Sequence, residues 1–154
     1  MKPGYFLIPI FLIVIIVASC SKGSTSKHPQ LSLESVSTDT LDQNQIDSVT
    51  FMLKFQNSGG TLGNGNFFSV RVRLNTLPVP VQDSAGSDTL VTQIPDFNGA
   101  SKGEFKYTLG FGDLSQGTLD NLNDTLIIKF FAVTPNNDTS NVVSTPQLVI
   151  INHM

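Results

Sequence analysis

Apolar and polar residues alternate along most of the chain after residue 30, in short runs. A period of two places every second side chain on the same face of a strand, and no run here has the 3.6-residue period of a helix. Clusters of Gly, Pro, Asn and Asp, which are typical of turns, separate the runs. The pattern predicts seven strands, over residues 31–37, 48–55, 69–74, 88–94, 104–111, 125–133 and 146–151.

Several runs also predict which side chains share a face. The run SVTFMLKF is expected to turn its alternate apolar residues inward, with Thr50 and Lys54 outward. The run SVRVRL sets its apolar residues on one face and Arg71 and Arg73 on the other. The run EFKYTLGF sets aromatic and leucine side chains against charged ones and threonine. The run TLIIKFFAV is apolar on both faces apart from Lys129, which predicts a central strand.

Short strands at nearly regular spacing favour an all-β protein. We expect an antiparallel Ig-like β-sandwich of about seven strands, formed by residues 30–152. Pro78 and Pro80 in TLPVPV cannot donate ladder hydrogen bonds, so that segment is expected at an edge or a crossover. The chain has one cysteine and no tryptophan, which excludes the disulfide-and-tryptophan core of antibody domains.

The first twenty residues differ in kind from the rest. Lys2 precedes an apolar stretch, YFLIPIFLIVIIVA (5–18), which Pro9 interrupts. The stretch is shorter than the ~20 residues that a transmembrane helix needs. A positive start, a short apolar run and small residues at its end are typical of a secretory signal. Residues 1–19 are therefore predicted to be a lipoprotein signal peptide outside the folded domain.

The only cysteine, Cys20, closes this segment in the sequence VASC. VASC resembles the lipobox of bacterial lipoproteins, with Val17 where leucine is commoner. The resemblance implies that Cys20 is lipidated and becomes the mature N-terminus. More than one acyl chain gives stable anchoring, at ~0.8 kcal/mol per buried methylene. We therefore expect a membrane anchor that does not span the bilayer, with residues 20–29 as the lipidated cysteine and a flexible tether.

The residues after the cysteine also predict a location. Ser21, rather than Asp, resembles lipoproteins that are sorted to the outer membrane. The segment SKGSTSKHPQ lacks the acidic cluster that often marks surface export in Bacteroidota-type lipoproteins. We expect a lipid-anchored protein of the outer membrane that faces the periplasm rather than the cell surface.

Composition and chemistry exclude several classes of function. Charged residues make up 14% of the chain and the formal net charge is -3, so no basic patch for nucleic acid is expected. His28 lies in the tether and His153 near the C-terminus, where neither is placed to orient a nucleophile. The chain has no Cys and His cluster for zinc, and its acids are dispersed. We expect no enzyme and no cofactor.

The segment FQNSGGTLGNGN (55–66) is rich in glycine and asparagine. A strand rather than a helix follows it, so it lacks the helix N-terminus on which phosphate-binding loops rely. Together with DTLIIKFFAVTPNNDTSNVVSTP (124–146), it resembles a family of small uncharacterised lipoproteins of Bacteroidota. The resemblance covers most of the mature chain. It implies a single Ig-like domain behind a lipid anchor, with no established biochemical activity.

The resemblance makes calcium the ion to consider as a ligand of this loop. In that family the strand runs into D-G-D-G-D-L-G, whereas here Asn57, Gly59 and Thr61 stand at the three acidic positions. Calcium prefers six to eight oxygen ligands, several of them carboxylates. The B–C and F–G loops share one end of an Ig-like domain, so Asp138 is expected nearby. Asn57, Thr61 and Asp138 are the candidates for a weak calcium site, although no metal site is favoured.

The tripeptide D-[ST]-apolar recurs along the chain and is similar to the O-glycosylation sequon of Bacteroidota. Asp followed by Thr or Ser is also ordinary at a strand entrance, so both interpretations stay open. Ser84, in the loop QDSAGS, is expected to be the most accessible. The candidate glycosylated residues are Thr40, Ser48, Ser84, Thr89 and Thr125.

These patterns favour a non-enzymatic, membrane-anchored envelope lipoprotein that serves as a structural module or binds a protein or a glycan. The alternative is an accessory carbohydrate-binding lipoprotein of a polysaccharide-uptake system. Sugar platforms usually need exposed aromatic residues, and the chain has no Trp and two Tyr. Phe67 and Phe68, beside the glycine-rich loop, are therefore the candidate ligand contacts. The expected partners are the membrane, through Cys20, and an envelope protein or glycan.

Overall fold

The computed structural model describes residues 28–75, 88–115 and 123–153. The predictions for residues 1–27, including Cys20, and those for Pro78, Pro80 and Ser84 lie outside these ranges. The described residues form nine strands and one short helix, α1. The strands are β1 (Gln30–Val36), β2 (Thr40–Asp42), β3 (Ser48–Gln56), β4 (Asn66–Arg73), β5 (Thr89–Gln93), β6 (Lys102–Gly110), β7 (Asp124–Val133), β8 (Val143–Ser144) and β9 (Leu148–Ile151), and α1 is Phe111–Ser115.

The strands form two sheets. The smaller sheet has the order β1-β3-β6, and the larger has the order β2-β9-β7-β4-β5, with β8 pairing β7. All pairs are antiparallel except β2 with β9, which is parallel. In Ig-like terms β1, β3 and β6 occupy positions A, B and E, while β4, β7 and β9 occupy C, F and G. The predicted all-β, Ig-like sandwich is confirmed.

The core lies between the inner faces of the two sheets. The alternate apolar residues of β3 are fully buried or nearly so, as the period-two pattern predicts. The rings of Phe51 on β3 and Phe130 on β7 meet edge to face, with their centroids 5.0 Å apart. Burial of one such side chain contributes ~1.5–3 kcal/mol to folding. β7 lies between β9 and β4, so the prediction that residues 125–133 form a central strand is confirmed.

Three details differ from the prediction made from sequence. The strands β2 and β8 were not predicted, because three and two residues are too few for an alternation pattern. The strand β4 begins at Asn66, three residues earlier than predicted. The chain turns into the one-turn helix α1 directly after β6.

No helix in the described ranges has the length and apolar character needed to cross a membrane.

The inner face of β4 is the arginine face. Ser69 and Arg71 are buried between the sheets, whereas Val70 and Val72 point away from the core and are half-buried. Alternation therefore predicted which residues share a face but did not say which face is the inner one. The reason lies in contacts from distant segments that pair with Nη1 and Nη2 of the buried Arg71 guanidinium.

Candidate functional site

The glycine-rich segment is the B–C loop, which joins β3 to β4. Its Gly65 packs so closely on the F–G connection that an added Cβ would overlap the carbonyl oxygen of Val133 and lie 3.2 Å from the Cα of Thr134. The predicted meeting of the B–C and F–G loops at one end of the domain is therefore confirmed. Leu62, in the middle of the loop, is fully buried, so the loop closes the end of the core.

The two predicted calcium ligands in this loop already accept backbone hydrogen bonds. The Oδ1 atom of Asn57 accepts from the N–H of Gly59 at 3.2 Å. The Oγ1 atom of Thr61 accepts from the N–H of Gly63 at 3.0 Å. These bonds are the Asx and Ser/Thr turns by which short polar side chains shape loops.

The third predicted ligand, Asp138, lies in the F–G connection. Its side chain is half exposed, and its carboxylate lies 4.0 Å from the His28 ring. Within residues 28–75, 88–115 and 123–153, no three His, Cys, Asp or Glu side chains are close enough to hold a metal ion. Asn57, Thr61 and Asp138 therefore stay untested candidates for a weak calcium site that the sequence did not favour, with one carboxylate among the three.

The candidate glycosylation sites that the structure describes all lie within the first two residues of a strand. Thr40, Ser48 and Thr89 are the first residues of β2, β3 and β5, and Thr125 is the second residue of β7. All four side chains are half-buried. These positions are those expected of the ordinary strand-entrance interpretation, and they leave the glycosylation prediction untested. Ser84 lies outside the described ranges.

The two candidate aromatic contacts face opposite sides of the larger sheet. Phe67 is 2% exposed, and its ring packs on those of Phe105, Tyr107 and Phe130. It belongs to the core and does not present a ring to a surface ligand, which corrects the prediction made from sequence. Phe68 lies on the outer side, where its ring is parallel to that of Phe131 at 4.6 Å.

Phe68 and Phe131 are part of a larger hydrophobic surface that sequence reasoning did not single out. The outward side chains of β4, β5, β7 and β9 are mostly apolar, although the outer face of an antiparallel sheet is commonly polar. None of them belongs to the core cluster, and Val91 is 56% exposed. We name this surface the outer apolar face; it consists of Phe68, Val70, Val72, Val91, Ile127, Phe131, Val133, Val149 and Ile151.

One cation lies within the outer apolar face. Lys129 is exposed on β7, the central strand, and is paired across the sheet with Val70 on β4 and Ser144 on β8. Within the described part of the chain it forms no ion pair. The nearest outward acid of this sheet is Asp42 on the edge strand β2, and Asp42 is hydrogen-bonded to His153 at 2.9 Å. Lys129 is thus a positive charge on a mostly apolar surface.

The inner side of β4 carries two arginines that are held by distant segments. Arg71 donates from Nη1 to the carbonyl oxygen of Asp113 at 2.7 Å, and its Nη2 lies 3.2 Å from Oδ1 of Asp88. Burial lowers the pKa of Arg71, and the carboxylate of Asp88 acts in the opposite direction. Arg73 donates to the fully buried carboxylate of Asp124. These pairs join β4 to α1 and β7 and are structural.

Two open clefts border the smaller sheet. One, of about 670 Å³, lies between residues 33–39 and the start of β9. It contains Glu34 and Asp39, but Glu34 pairs with Lys54 at 2.8 Å and Asp39 accepts from the hydroxyl of Thr40 at 3.1 Å. The other, of about 550 Å³, lies over Phe55 and Gly103 and contains Glu104, which lies 3.4 Å from Lys54. Each carboxylate named here is engaged by a neighbouring side chain.

No protein-family model matches the chain, and no curated protein matches it.

Proposed function

We propose that this chain is a non-enzymatic lipoprotein of the bacterial outer membrane, anchored through Cys20, whose β-sandwich binds another protein. The binding surface is the outer apolar face. The bound protein presents an apolar patch with a carboxylate that pairs with Lys129. The observation that carries the proposal is the face itself, on which Val91 is exposed and eight further apolar side chains are half-buried, because apolar patches on a protein surface mark interaction sites.

Lys129 favours a protein over a lipid surface as the occupant. If the face lay on a bilayer, the ammonium group of Lys129 would sit among acyl chains, where a charge is costly. A second copy of this chain on the same face would bring Lys129 against a surface whose outward acid, Asp42, is at the edge and already bonded to His153. A different protein with a carboxylate at the matching position satisfies both the apolar area and the charge.

The carbohydrate-binding alternative has less support in the geometry. It rested on Phe67 and Phe68, of which Phe67 is buried in the core. Phe131 covers one face of the half-buried Phe68 ring, so less of that ring is open to a sugar. We therefore advance the protein-binding function alone.

Site-specific photo-cross-linking tests the binding face. A photoreactive amino acid replaces Val91 in the full-length chain, and native membranes are irradiated. We expect an adduct with one other polypeptide, whose yield falls at least about tenfold in Lys129→Glu because a buried charge pair is replaced by repulsion. Lys106→Glu, on the other sheet, is the matched control and should leave the yield unchanged. Adducts with lipid or with this chain alone, or a yield that Lys129→Glu does not change, would contradict the proposal.

The anchor is tested separately by mass spectrometry of the protein extracted from membranes. We expect an N-terminal peptide that begins at Cys20 and carries two or three acyl chains. An unmodified Cys20 within a longer chain would remove the anchor from the proposal without touching the binding face.

A further inference from the structure

The strand β6 ends the smaller sheet, and no described strand pairs with its far edge. It pairs with β3 without a break over all nine of its residues. The opposite edge of this sheet is different, because β1 carries a register shift and the side chain of Asn141 caps Leu31. A long and regular edge strand presents unpaired N–H and C=O groups that another strand can join.

A row of alternating charges crosses the outer side of this sheet and ends at β6. Glu34 on β1 lies 2.8 Å from Lys54 on β3, and Lys54 lies 3.4 Å from Glu104 on β6. Lys106 follows Glu104 on the same face of β6 but is opposite Met52, which is uncharged. Within the described ranges Lys106 forms no ion pair. The next member of the row would be a cation beyond Glu104.

We infer that a second copy of this chain pairs with the far edge of β6, strand against strand and antiparallel, about a two-fold axis at Phe105. This register places Glu104 opposite Lys106 of the second copy, and Lys106 opposite Glu104 of the second copy. The charge row then continues across the junction in both directions. A six-stranded sheet results, with two identical cross-strand ion pairs at its centre.

Neighbouring registers of the same pairing are disfavoured. A shift of two residues in one direction sets Lys106 against Lys106 of the second copy, and a shift in the other direction sets Glu104 against Glu104. Like charges directly opposite each other destabilise a sheet. A shift of one residue brings outward charged residues onto the side of the inward aromatic residues. Among these neighbouring registers, only the one centred on Phe105 sets opposite charges of β6 against each other.

The inner side of β6 fits the same register. Phe105 is half-buried at the open side of the sandwich, where its ring meets that of Phe67 edge to face at 5.2 Å. In the proposed pairing Phe105 lies directly opposite Phe105 of the second copy, and facing aromatic residues on adjacent strands attract one another. The pairing would thus cover aromatic surface that the single copy leaves partly open.

This dimer is independent of the proposed partner-binding function, because it uses the edge of the smaller sheet and leaves the outer apolar face of the larger sheet open. The two surfaces are separated by single substitutions: Lys106→Glu acts on the edge of β6, and Lys129→Glu acts on the outer apolar face.

Sedimentation velocity of the full-length chain tests the dimer, in detergent with micelles in large molar excess over protein. We expect a concentration-dependent equilibrium between monomer and dimer. Lys106→Glu should raise the dissociation constant at least about tenfold, since both central ion pairs become repulsive. Lys129→Glu is the control and should leave the constant unchanged. Circular dichroism verifies that each variant is folded, and Lys106 is suited to the test because its cross-strand neighbour on β3 is the uncharged Met52.

Mixing two variants gives the sharper result. Glu104→Lys and Lys106→Glu should each be largely monomeric alone. Combined in equal amounts they should form a mixed dimer, because each cation then faces a carboxylate of the other chain in the proposed register. A chain that stays monomeric at every concentration, a dimer that Lys106→Glu does not weaken, or a mixture that stays monomeric would each overturn the inference.

Discussion

The side-chain amide of Asn141 takes the place of a strand beside Leu31. Its Oδ1 atom accepts from the N–H of Leu31 at 2.7 Å, and its Nδ2 atom donates to the carbonyl oxygen of Leu31 at 3.0 Å. Leu31 is on the edge strand β1 of the smaller sheet, and Asn141 is in the F–G connection of the larger sheet. One asparagine therefore closes the seam between the two sheets and satisfies both backbone groups of an edge residue.

Asn141→Ala should lower the free energy of unfolding by about 1–2 kcal/mol, because a donor and an acceptor on Leu31 lose their partners in a partly buried site. Urea denaturation of the variant and the wild type measures the difference. Asn136→Ala, at an exposed position in the same connection, is the control and should stay within about 0.5 kcal/mol. Equal stability of the two variants would show that the seam does not depend on the amide.

Asp124→Ala should be more costly, at about 3–5 kcal/mol, because it leaves the Arg73 guanidinium without its buried carboxylate. Asp124 is 0% exposed. Besides the bond from Arg73, its Oδ1 atom accepts from Asn75 at 2.7 Å and from its neighbour's backbone N–H at 2.8 Å.

The free energy of unfolding from urea titrations tests this claim, with Asp47→Ala as the exposed comparison, which should change it by less than about 0.5 kcal/mol. A loss below about 1 kcal/mol for Asp124→Ala would mean that water replaces the carboxylate.

Gly65→Ala should destabilise the domain by about 1–3 kcal/mol through overpacking. An added Cβ would overlap the carbonyl oxygen of Val133 and lie 3.0 Å from that of Leu62, and both are backbone atoms that cannot rotate away. Gly112→Ala is the matched control, because a Cβ there meets nothing within 4 Å. Thermal unfolding of both variants decides the point, and a Gly65→Ala variant as stable as Gly112→Ala would contradict the close packing of the two loops.

The charge row on the smaller sheet predicts the titration of Glu34. A hydrogen bond from Lys54, and then one from Ser32, lowers the pKa of Glu34. Because this pKa is lower in the folded chain than in the unfolded chain, the pair stabilises the fold above the ordinary glutamate pKa, and its contribution is lost as pH falls through the lowered one.

NMR titration should find the pKa of Glu34 below its ordinary value in the wild type and raised toward that value in Lys54→Met, in which only the hydrogen bond from Ser32 still lowers it. Lys106→Met is the comparison and should leave the titration of Glu34 unchanged. A pKa of Glu34 that Lys54→Met does not raise would contradict the assigned cause.

Alternation of residues predicted the fold where strands are long and bury one face. The run that became β3 has the predicted inward residues, the aromatic and leucine side chains of β6 share one face as predicted, and β7 is central as its two apolar faces indicate. The same pattern was ambiguous for β4, where valines and arginines alternate. Arg71 is inward because the carbonyl of Asp113 and the carboxylate of Asp88 are available to it. Such contacts join residues far apart in sequence and leave no local signal.

The last strand shows a second limit of the pattern. It is broken into β8 and β9, and side-chain hydroxyls complete part of the ladder with β7. The Oγ1 atom of Thr145 accepts from the N–H of Ile128 at 3.0 Å, and Oγ of Ser140 accepts from that of Ala132 at 2.9 Å. Ser and Thr in a turn-rich segment are typical of loops, so neither β8 nor these side-chain hydrogen bonds to the backbone of β7 were predicted.

The candidate sites were likewise predicted in part. The B–C loop was placed correctly at the end shared with the F–G connection, but its polar side chains, Asn57 and Thr61, are used within the loop. The outer apolar face was missed because it is assembled from four strands, each of which contributes only one to three residues. The sequence of β7 did indicate this face. Its apolar residues on both sides were interpreted only as a sign that the strand is central in its sheet.

The most direct test of the binding face is the accessibility of Val91 in native membranes. In Val91→Cys, we measure the rate of labelling by a membrane-impermeant thiol reagent, once in outer-membrane preparations and once on the chain purified in detergent. Ser35→Cys, exposed on the smaller sheet, corrects for access of the reagent. A partner on the outer apolar face should slow the labelling of Val91→Cys in membranes at least about tenfold relative to the purified chain, as expected for a residue inside an interface core, with no change for Ser35→Cys. Equal rates for Val91→Cys in both preparations would contradict the account.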